Sequence, residues 1–284
     1  MRPGLPSGTS LLVSFARALG VDEQEIDPLA VELLPPLLAG LAAAPRRLGG
    51  VAALYRNAVR VTTFGLVDHM VLRTKAIDAH LASALRAGID QLVILGAGLD
   101  ARAWRLESLK DVTVFEVDHP ATQQYKRKRL LDKIAPAEIR YVPVDFEKEQ
   151  FSDALKREGF RSGRPSAWIW EGVAMYLPQA TIRETLGQLT ALAAAGSQLA
   201  MTYRVPGMLP YGSLGRVVIP AVFAAAGERL KGTLEPHELA YAIGPDWEIS
   251  FDEDARGWGD FTGSVAKPSR SFLSERLAIA KRTG

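Results

Sequence analysis

The stretch that decides the fold is Gln91-Leu92-Val93-Ile94-Leu95-Gly96-Ala97-Gly98, a short apolar run that ends in a glycine turn. An unbroken run of this length is typical of a strand buried on both faces of a parallel sheet. Four similar runs follow, with helical patterns between them: Val112–Val117, Arg140–Val144, Ala167–Trp170 and Ser197–Tyr203. Strands that alternate with helices predict an α/β fold with a mostly parallel sheet.

The regions on either side of this block lack the alternation. Residues 11–87 carry apolar side chains at three- and four-residue spacing, which predicts helices. Residues 204–234 are rich in Gly and Pro around an apolar stretch, Val217–Ala226, and such an insertion usually covers a site. We expect the chain to close with a helix near Pro236–Ala242, a strand at Trp247–Phe251, an acidic irregular stretch and a strand at Arg276–Ala280. With no helix predicted between them, these two strands should be antiparallel.

This pattern divides the chain into four parts. We expect a helical cap in residues 1–88, a sheet core in 89–203, a lid insertion in 204–246 and closing antiparallel strands in 247–284. We also expect right-handed crossovers and helices on both faces of the sheet.

The composition excludes several classes of protein. The chain has 284 residues and no cysteine, so disulfides, thiolate metal sites and cysteine nucleophiles are excluded. Four scattered histidines leave little for a metal site, and we expect no metal. A net charge of +2 is too small to drive binding to nucleic acid. Without a signal-like N-terminus or a membrane-length apolar run, we expect a cytoplasmic protein with no membrane partner.

Residues that follow the predicted strands form a candidate binding site, because ligands of open parallel sheets bind at the carboxyl ends of the strands. The first strand leads into a G-x-G-x-x-A loop, Gly96–Ala101, which lets a ligand approach the backbone. Asp118 follows the second strand, 20 residues after Gly98, at the spacing of an acid that binds ribose hydroxyls. The pair favours a ligand that contains adenosine.

The next two strands end in acids as well. Asp145-Phe146 follows the third strand, where a carboxylate can accept from an adenine amino group and a ring can pack on the base. Glu171-Gly172 follows the fourth strand. Each residue has a local alternative: a tight turn for the glycines, a helix cap for Asp118 and a turn for Asp145. Such local roles do not require all of them to fall at the ends of neighbouring strands.

The ligand is either a nicotinamide dinucleotide or S-adenosylmethionine (SAM), since both use a glycine loop and a ribose acid. Acids after the third and fourth strands would repel a pyrophosphate but suit adenine and an ammonium group. About ninety residues of helix precede the loop, whereas a dinucleotide fold normally begins near its first strand. These features favour SAM.

Six motifs carry a resemblance to a known family: Asp27-Pro28-Leu29-Ala30, Arg73-Thr74-Lys75 with Asp78, Gly96–Arg102, Phe115–Pro120, Val144-Asp145-Phe146 and Trp170–Leu177. The chain resembles the leucine carboxyl methyltransferase family of class I SAM-dependent methyltransferases, with its bacterial and polyketide O-methyltransferase relatives. The resemblance implies a Rossmann-like, seven-stranded, mostly parallel sheet. It also implies an enzyme that uses SAM, releases S-adenosylhomocysteine and needs no metal.

The resemblance also assigns roles to residues. It implies that Gly96 and Gly98 approach SAM, that Asp118 binds ribose, and that Asp145 and Phe146 frame adenine. Glu171 would lie by the methionine part, and Arg73 would hold the SAM carboxylate. 

The methyl acceptor is expected to be a small-molecule carboxylate or hydroxyl, with a polyketide or other secondary metabolite as a candidate. Tyr176 should project near the reacting methyl if its turn follows the family, and its alternative is a packed aromatic. Arg204 is a candidate partner of an acidic substrate or else a surface arginine, and Phe223 lines the acceptor pocket or else anchors the lid. Two other functions stay open: a NAD(P)-dependent oxidoreductase and a non-catalytic SAM-binding regulatory protein.

Overall fold

The computed structural model of the protein describes residues 6–22, 27–146, 148–206, 221 and 230–284. Before residue 89 the described chain is helical, as the apolar spacing predicts. The helices are α1 (Gly8–Leu19), α2 (Pro28–Glu32), α3 (Pro36–Ala43), α4 (Pro45–Leu48), α5 (Ala52–Thr62) and α6 (Leu66–Arg86), with a 3-10 turn at Gly49–Val51. Ser7 caps the N-terminus of α1, because its side chain accepts a hydrogen bond from the N–H of Ser10.

One seven-stranded sheet lies at the centre of the described residues, in the order β3-β2-β1-β4-β5-β7-β6. The strands are β1 (Gln91–Leu95), β2 (Thr113–Asp118), β3 (Glu138–Pro143), β4 (Ala167–Trp170), β5 (Gln198–Arg204), β6 (Trp247–Asp254) and β7 (Glu275–Arg282). β7 runs antiparallel to both of its neighbours, while β1 to β5 pair in parallel. The predicted mostly parallel α/β sheet is therefore confirmed.

Helices and short 3-10 turns connect the strands. They are α7 (Arg102–Arg105), α8 (Pro120–Arg129), α9 (Phe151–Arg157), α10 (Gln179–Leu192), α11 (Pro236–Ile243) and α12 (Ala255–Thr262), with 3-10 turns at Glu107–Leu109 and Ala174–Tyr176. The connection from β1 to β2 is split, because its α-helical part ends at Arg105 and a 3-10 turn follows at Glu107–Leu109. 

The acidic stretch before β7 was predicted to be irregular, and this is wrong for Ala255–Thr262, which forms α12. Asp254 caps α12 by accepting from the N–H of Arg256 at 2.9 Å. The indole of Trp258 is fully buried in the core, and its Nε1–H donates to the carbonyl of Glu253 at 2.7 Å. Tertiary burial of this one side chain stabilises a helix that the polar sequence around it does not indicate.

Alternate side chains of β1 supply two cores, one on each face of the sheet. Val93 and Leu95 belong to a core that α9, α10 and α11 complete. Leu92 and Ile94 belong to a second core, which α6 and α12 complete. All five residues of β1 are buried, which explains why the strand has a continuous apolar sequence.

The strand order places a crevice at the carboxyl ends of the strands, between β1 and β4. The chain moves outward from β1 to β3 on one side and from β4 to β5 on the other, so the crossovers diverge between β1 and β4. Loops after these two strands leave an opening at the carboxyl ends, which is where open α/β sheets bind ligands.

The segment expected to form a lid, residues 204–246, is described only at 204–206, 221 and 230–246. Val217–Ala226 thus lies largely outside the described residues. Among those that are described, no single helix combines the length and apolar character needed to cross a membrane. Two helical segments, Pro36–Ala43 and Pro45–Thr62, meet at an angle of 43°, and only when they are taken together do they have that length and composition.

Candidate functional site

A cavity of about 960 Å³ lies at the carboxyl ends of β1 to β4. Residues from the loops after all four strands line it, together with residues of α1 and α6. Eight residues that the sequence pointed to are among them: Arg73, Gly96, Gly98, Asp118, Asp145, Phe146, Glu171 and Tyr176. The fold thus brings together side chains and glycines that are far apart in the sequence.

The glycine turn after β1 depends on backbone conformations that other residues rarely adopt. Gly96 has φ +66° and Gly98 has φ +49°. A Cβ atom at Gly96 would also overlap the side chain of Val173. The N–H of Gly98 donates to Oδ2 of Asp118, so the turn is tied to the end of the neighbouring strand.

Asp118, the last residue of β2, is held by backbone donors. Besides Gly98, the N–H of His119 donates to Oδ1 of Asp118 at 2.5 Å. Burial raises the pKa of Asp118, and the two backbone hydrogen bonds act in the opposite direction. Each carboxylate oxygen can accept a second hydrogen bond, so Asp118 keeps lone pairs for ligand hydroxyls. The cap of α8 is His119 and not Asp118, since His119 Nδ1 accepts from the N–H of Ala121 at 3.2 Å.

Asp145 and Phe146 follow β3 at the far end of the cavity, and both are half-buried. Nζ of Lys148 lies 2.8 Å from Oδ2 of Asp145. The ring of Phe146 lies 6.2 Å from that of Phe151, which anchors it to the core. The carbonyl of Asp145 also accepts from the N–H of Lys148 at 2.9 Å, so Asp145 is a turn residue and a cavity residue at once.

Glu171, after β4, is surrounded by arginines. Its Oε1 accepts from Arg17 Nη2 at 2.6 Å and from Arg73 Nε at 2.9 Å, and its Oε2 accepts from Arg102 Nη1 at 2.7 Å. Burial alone would raise the pKa of Glu171, but these three arginines hold it well below its ordinary value. Glu171 is therefore an ionised carboxylate at the cavity wall that is paired with three arginines.

Arg73 lies between two carboxylates. Its Nε donates to Glu171, and its Nη1 donates to Glu275 Oε1, the first residue of β7, at 2.9 Å. A Cβ atom at Gly172 would lie 3.2 Å from Arg73 Nη2, so this glycine lets the guanidinium reach the cavity wall. Burial acts to lower the pKa of Arg73, and Glu275 and Glu171 raise it above its ordinary value.

Two arginines of the site were missed by the sequence reasoning. Arg102 belongs to a quoted motif but received no role, and it is fully buried, with Nε 2.6 Å from Asp78 and Nη1 bonded to Asp100 and Glu171. Arg17 lines the cavity from α1. Val13, four residues earlier on the same face of α1, also lines the cavity.

The three residues proposed for the acceptor differ in their placement. Tyr176 lies in the 3-10 turn Ala174–Tyr176 and lines the cavity. Arg204 ends β5 and is absent from the described lining, and its carbonyl accepts from the N–H of Leu234 at 2.9 Å. Phe223 lies outside the described residues.

The basic run Lys126–Arg129 at the end of α8 is not solvated throughout, because its first residue is buried. Lys126 is 1% exposed, and its Nζ lies 2.8 Å from Oε1 of the equally buried Glu116. Arg127 lies outside, with its guanidinium carbon 5.0 Å from the centre of the Tyr141 ring. The first residue of a charged run can point inward because a helix turns by 100° per residue.

Among the described residues no group of three or more histidines and acids could hold a metal ion. His80 is isolated and largely buried, which lowers its pKa to about 4. The charged residues that line the cavity in the described structure are carboxylates and cationic side chains.

Sequence comparison supports a common family. Residues 10–190, more than half of the chain, match the family described as leucine carboxyl methyltransferase. A protein of Mycobacterium avium (strain 104), named "Putative S-adenosyl-L-methionine-dependent methyltransferase", is 44% identical over 137 residues, 48% of this chain and 44% of its own length. A protein with the same name from Mycolicibacterium paratuberculosis is 35% identical over 208 residues, 70% of this chain and 66% of its own. The chain spans less than two thirds of these relatives.

Solved structures support the fold. A "putative methyltransferase" from Thermobifida fusca YX has a TM-score of 0.61 at 18% identity, over 99% of this chain and 96% of its own. A "duf574 family protein" from Streptomyces avermitilis has a TM-score of 0.63 at 16% identity, over 98% of both chains. The fold expected of a class I methyltransferase is confirmed. The match over residues 10–190 shows that the chain belongs to the leucine carboxyl methyltransferase family, and the motifs and the fold of the chain agree with it.

Proposed function

We propose that the chain binds SAM in the cavity and transfers its methyl group to an oxygen atom of a small molecule. The observation that carries this proposal is the order of the strand-end residues. Following the sheet from β3 to β4, the cavity presents Asp145 with Phe146, then Asp118, then the glycine turn, then Glu171. Neighbouring strands lie about 4.8 Å apart, so this row of strand-end residues, from β3 to β4, extends over about 14 Å. An elongated ligand with a base, a ribose and an amino acid fits this row in that order.

The donor set at the β4 end suits the amino-acid part of SAM. Arg73 and Arg17 supply cationic nitrogens for its carboxylate, and the carboxylate of Glu171 beside them suits its ammonium group. A purely anionic group such as a pyrophosphate would meet Glu171, Asp118 and Asp145 along the same row. The acids along the row, together with the arginines at the β4 end, therefore favour a ligand that carries both positive and negative groups.

The ribose and base ends have matching groups. Asp118 offers a carboxylate fixed by backbone donors, which can accept from two neighbouring hydroxyls without reorganising. Asp145 offers an acceptor for an amino group, and Phe146 offers a ring that is held by Phe151.

When bound, SAM supplies an electrophilic methyl group on a sulfonium and leaves as S-adenosylhomocysteine. The role of the protein is to align the acceptor with that methyl group and to exclude water. We assign Tyr176 to this step, because it lines the cavity five residues after Glu171, near the amino-acid end of the row.

For the acceptor we propose a carboxylate or a hydroxyl of a small molecule such as a secondary metabolite. The described lining contains one imidazole, His119, and its Nδ1 accepts from the N–H of Ala121. A carboxylate is ionised at neutral pH and needs no base, so this lining favours it over a hydroxyl.

Calorimetric titration of the purified chain with SAM, S-adenosylhomocysteine, NAD and NADP tests the cofactor. Binding of the first two and not of the nicotinamides is expected, and the reverse would support an oxidoreductase and overturn the proposal. Release of S-adenosylhomocysteine is then measured with a panel of carboxylic acids and phenols. If SAM binds but no acceptor stimulates release, the result supports the alternative of a SAM-binding regulatory protein.

A further inference from the structure

A buried hydrogen-bonded network leads from His69 on α6 to the cavity, and of its members only Arg73 lines the cavity. It passes from the His69 ring to Glu275 and from Glu275 to Arg73. His69 and Arg73 lie on α6 four residues apart, which places them on the same face of the helix. Neither His69 nor Glu275 is among the described residues that line the cavity, so a ligand there meets them only through Arg73.

His69 has a single polar role in the described structure. Its ring lies between Trp258 and Phe272, with ring centres 5.0 Å and 5.1 Å away. Its Nε2 lies 2.6 Å from Glu275 Oε2, while its Nδ1 is buried without a hydrogen-bond partner among the described residues. A proton on Nε2 is satisfied by Glu275, whereas a proton on Nδ1 would be buried without an acceptor among the described residues.

Glu275 receives hydrogen bonds from two sides. One of its oxygens accepts from His69 and the other from Arg73, and Thr202 on β5 adds a further hydrogen bond. The Oγ1 atom of Thr202 also accepts from the N–H of Gly172, so the loop after β4 is tied to the same place. Glu275 therefore has little freedom to follow Arg73 if the guanidinium moves.

Arg73 is thus held from both sides by carboxylates, Glu171 on Nε and Glu275 on Nη1. This arrangement directs Nη2 toward Gly172 at the cavity wall. Without the charge of Glu275, the guanidinium would be drawn to Glu171 alone and would turn away from that position.

We propose that Glu275 and His69 are positioning residues that aim the Arg73 guanidinium into the cavity and so set the affinity for the carboxylate end of the bound ligand. The inference rests on the proposed function, since it takes SAM as that ligand. It predicts that the two residues matter for ligands with an amino-acid part and not for the nucleoside alone.

The test compares two probes by titration calorimetry: S-adenosylhomocysteine, and 5′-methylthioadenosine, which lacks the amino-acid part. Glu275→Gln should raise the Kd for S-adenosylhomocysteine about tenfold and leave the Kd for methylthioadenosine within about twofold. His69→Gln should act in the same direction by about threefold, because Glu275 keeps its hydrogen bond to Thr202. In an Arg73→Gln background, Glu275→Gln should have no further effect on S-adenosylhomocysteine.

The matched control is Asp68→Asn. Asp68 is a buried carboxylate on the same helix, but it pairs with Arg60 at 2.6 Å and accepts from the N–H of Lys267 at 2.8 Å, away from the cavity lining. It should change Tm without changing either Kd. Equal weakening of both probes by Glu275→Gln, an unchanged Kd, or an undiminished effect in the Arg73→Gln background would overturn the inference. Failure of the unmodified chain to bind either probe would instead overturn the proposed function, and the inference with it.

Discussion

The Nη2 atom of Arg17 in α1 lies 2.6 Å from Oε1 of Glu171 at the end of β4. Arg17 Nε also donates to Thr74 Oγ1 on α6 at 2.9 Å. Through Ser10, Val13 and Arg17, α1 forms part of the cavity wall. The docking of the N-terminal helix therefore depends on a charge that belongs to the strand-end site, and the helix and the site should respond together.

Replacing Arg17 by methionine should loosen α1. The variant keeps the aliphatic contacts but leaves Glu171 with Arg73 and Arg102 only, which should cost about 1–3 kcal/mol of local stability. Faster hydrogen exchange across Gly8–Leu19 is expected, with SAM restoring part of the protection. Arg47→Met, an exposed arginine on α4, should leave the exchange of α1 unchanged. Equal exchange in both variants would show that the Arg17–Glu171 pair does not hold the helix.

Asp118→Ala should weaken SAM binding by about 1–3 kcal/mol through the loss of charge-assisted hydrogen bonds to ribose. It also removes the acceptor for the N–H groups of Gly98 and His119, so the shape of the glycine turn is affected as well. Titration calorimetry measures the change, with Asp90→Ala as the control, because Asp90 pairs with Arg161 and Arg164 at the surface. Unchanged affinity of the Asp118 variant would remove this residue from the binding site.

Lys126→Met should destabilise the fold by about 3–5 kcal/mol, because it leaves the carboxylate of Glu116 buried without its counter-charge. Burial already raises the pKa of Glu116 despite the opposing effect of Lys126. The double variant Lys126→Met with Glu116→Leu should recover most of the loss, since a well-packed apolar pair avoids the desolvation penalty. Urea unfolding of both variants measures this, and additive losses in the double variant would contradict it.

Acid should weaken the fold through Glu275. Burial would raise its pKa, but Arg73 and His69 lower it from 4.5 to about 2. The unfolded chain therefore takes up this proton first as the pH falls, and on the order of 3 kcal/mol of stability is lost between about pH 5 and pH 2. Glu275→Gln lacks this titration, so its stability deficit relative to the unmodified chain should shrink as the pH is lowered. Urea unfolding at pH 7, 5, 4 and 3 tests the sign, and a constant deficit would contradict it.

The sequence was sufficient to predict those elements whose pattern is contained within a few neighbouring residues. The apolar runs predicted β1 and β4 with their bounds, Gln91–Leu95 and Ala167–Trp170, because both faces of these strands are buried and no polar residue interrupts them. The strand-end acids could be found for the same reason, since each lies at the end of its strand or within two residues after it. The helix Ala255–Thr262 could not, because its stability comes from burying Trp258 against elements that are distant in the sequence.

The sequence alone thus predicted the parallel sheet, the end of the sheet where the cavity lies and the strand-end residues along it. This was possible because the apolar pattern of a strand, and the residues at its end, are encoded within a few positions of the chain. Only the tertiary structure decided how the charges pair. Arg17, Arg73 and Arg102 come from separate elements, yet they meet on the one carboxylate of Glu171. Buried charges must find counter-charges wherever the fold brings them, and that requirement acts in space and leaves no fixed spacing in the chain.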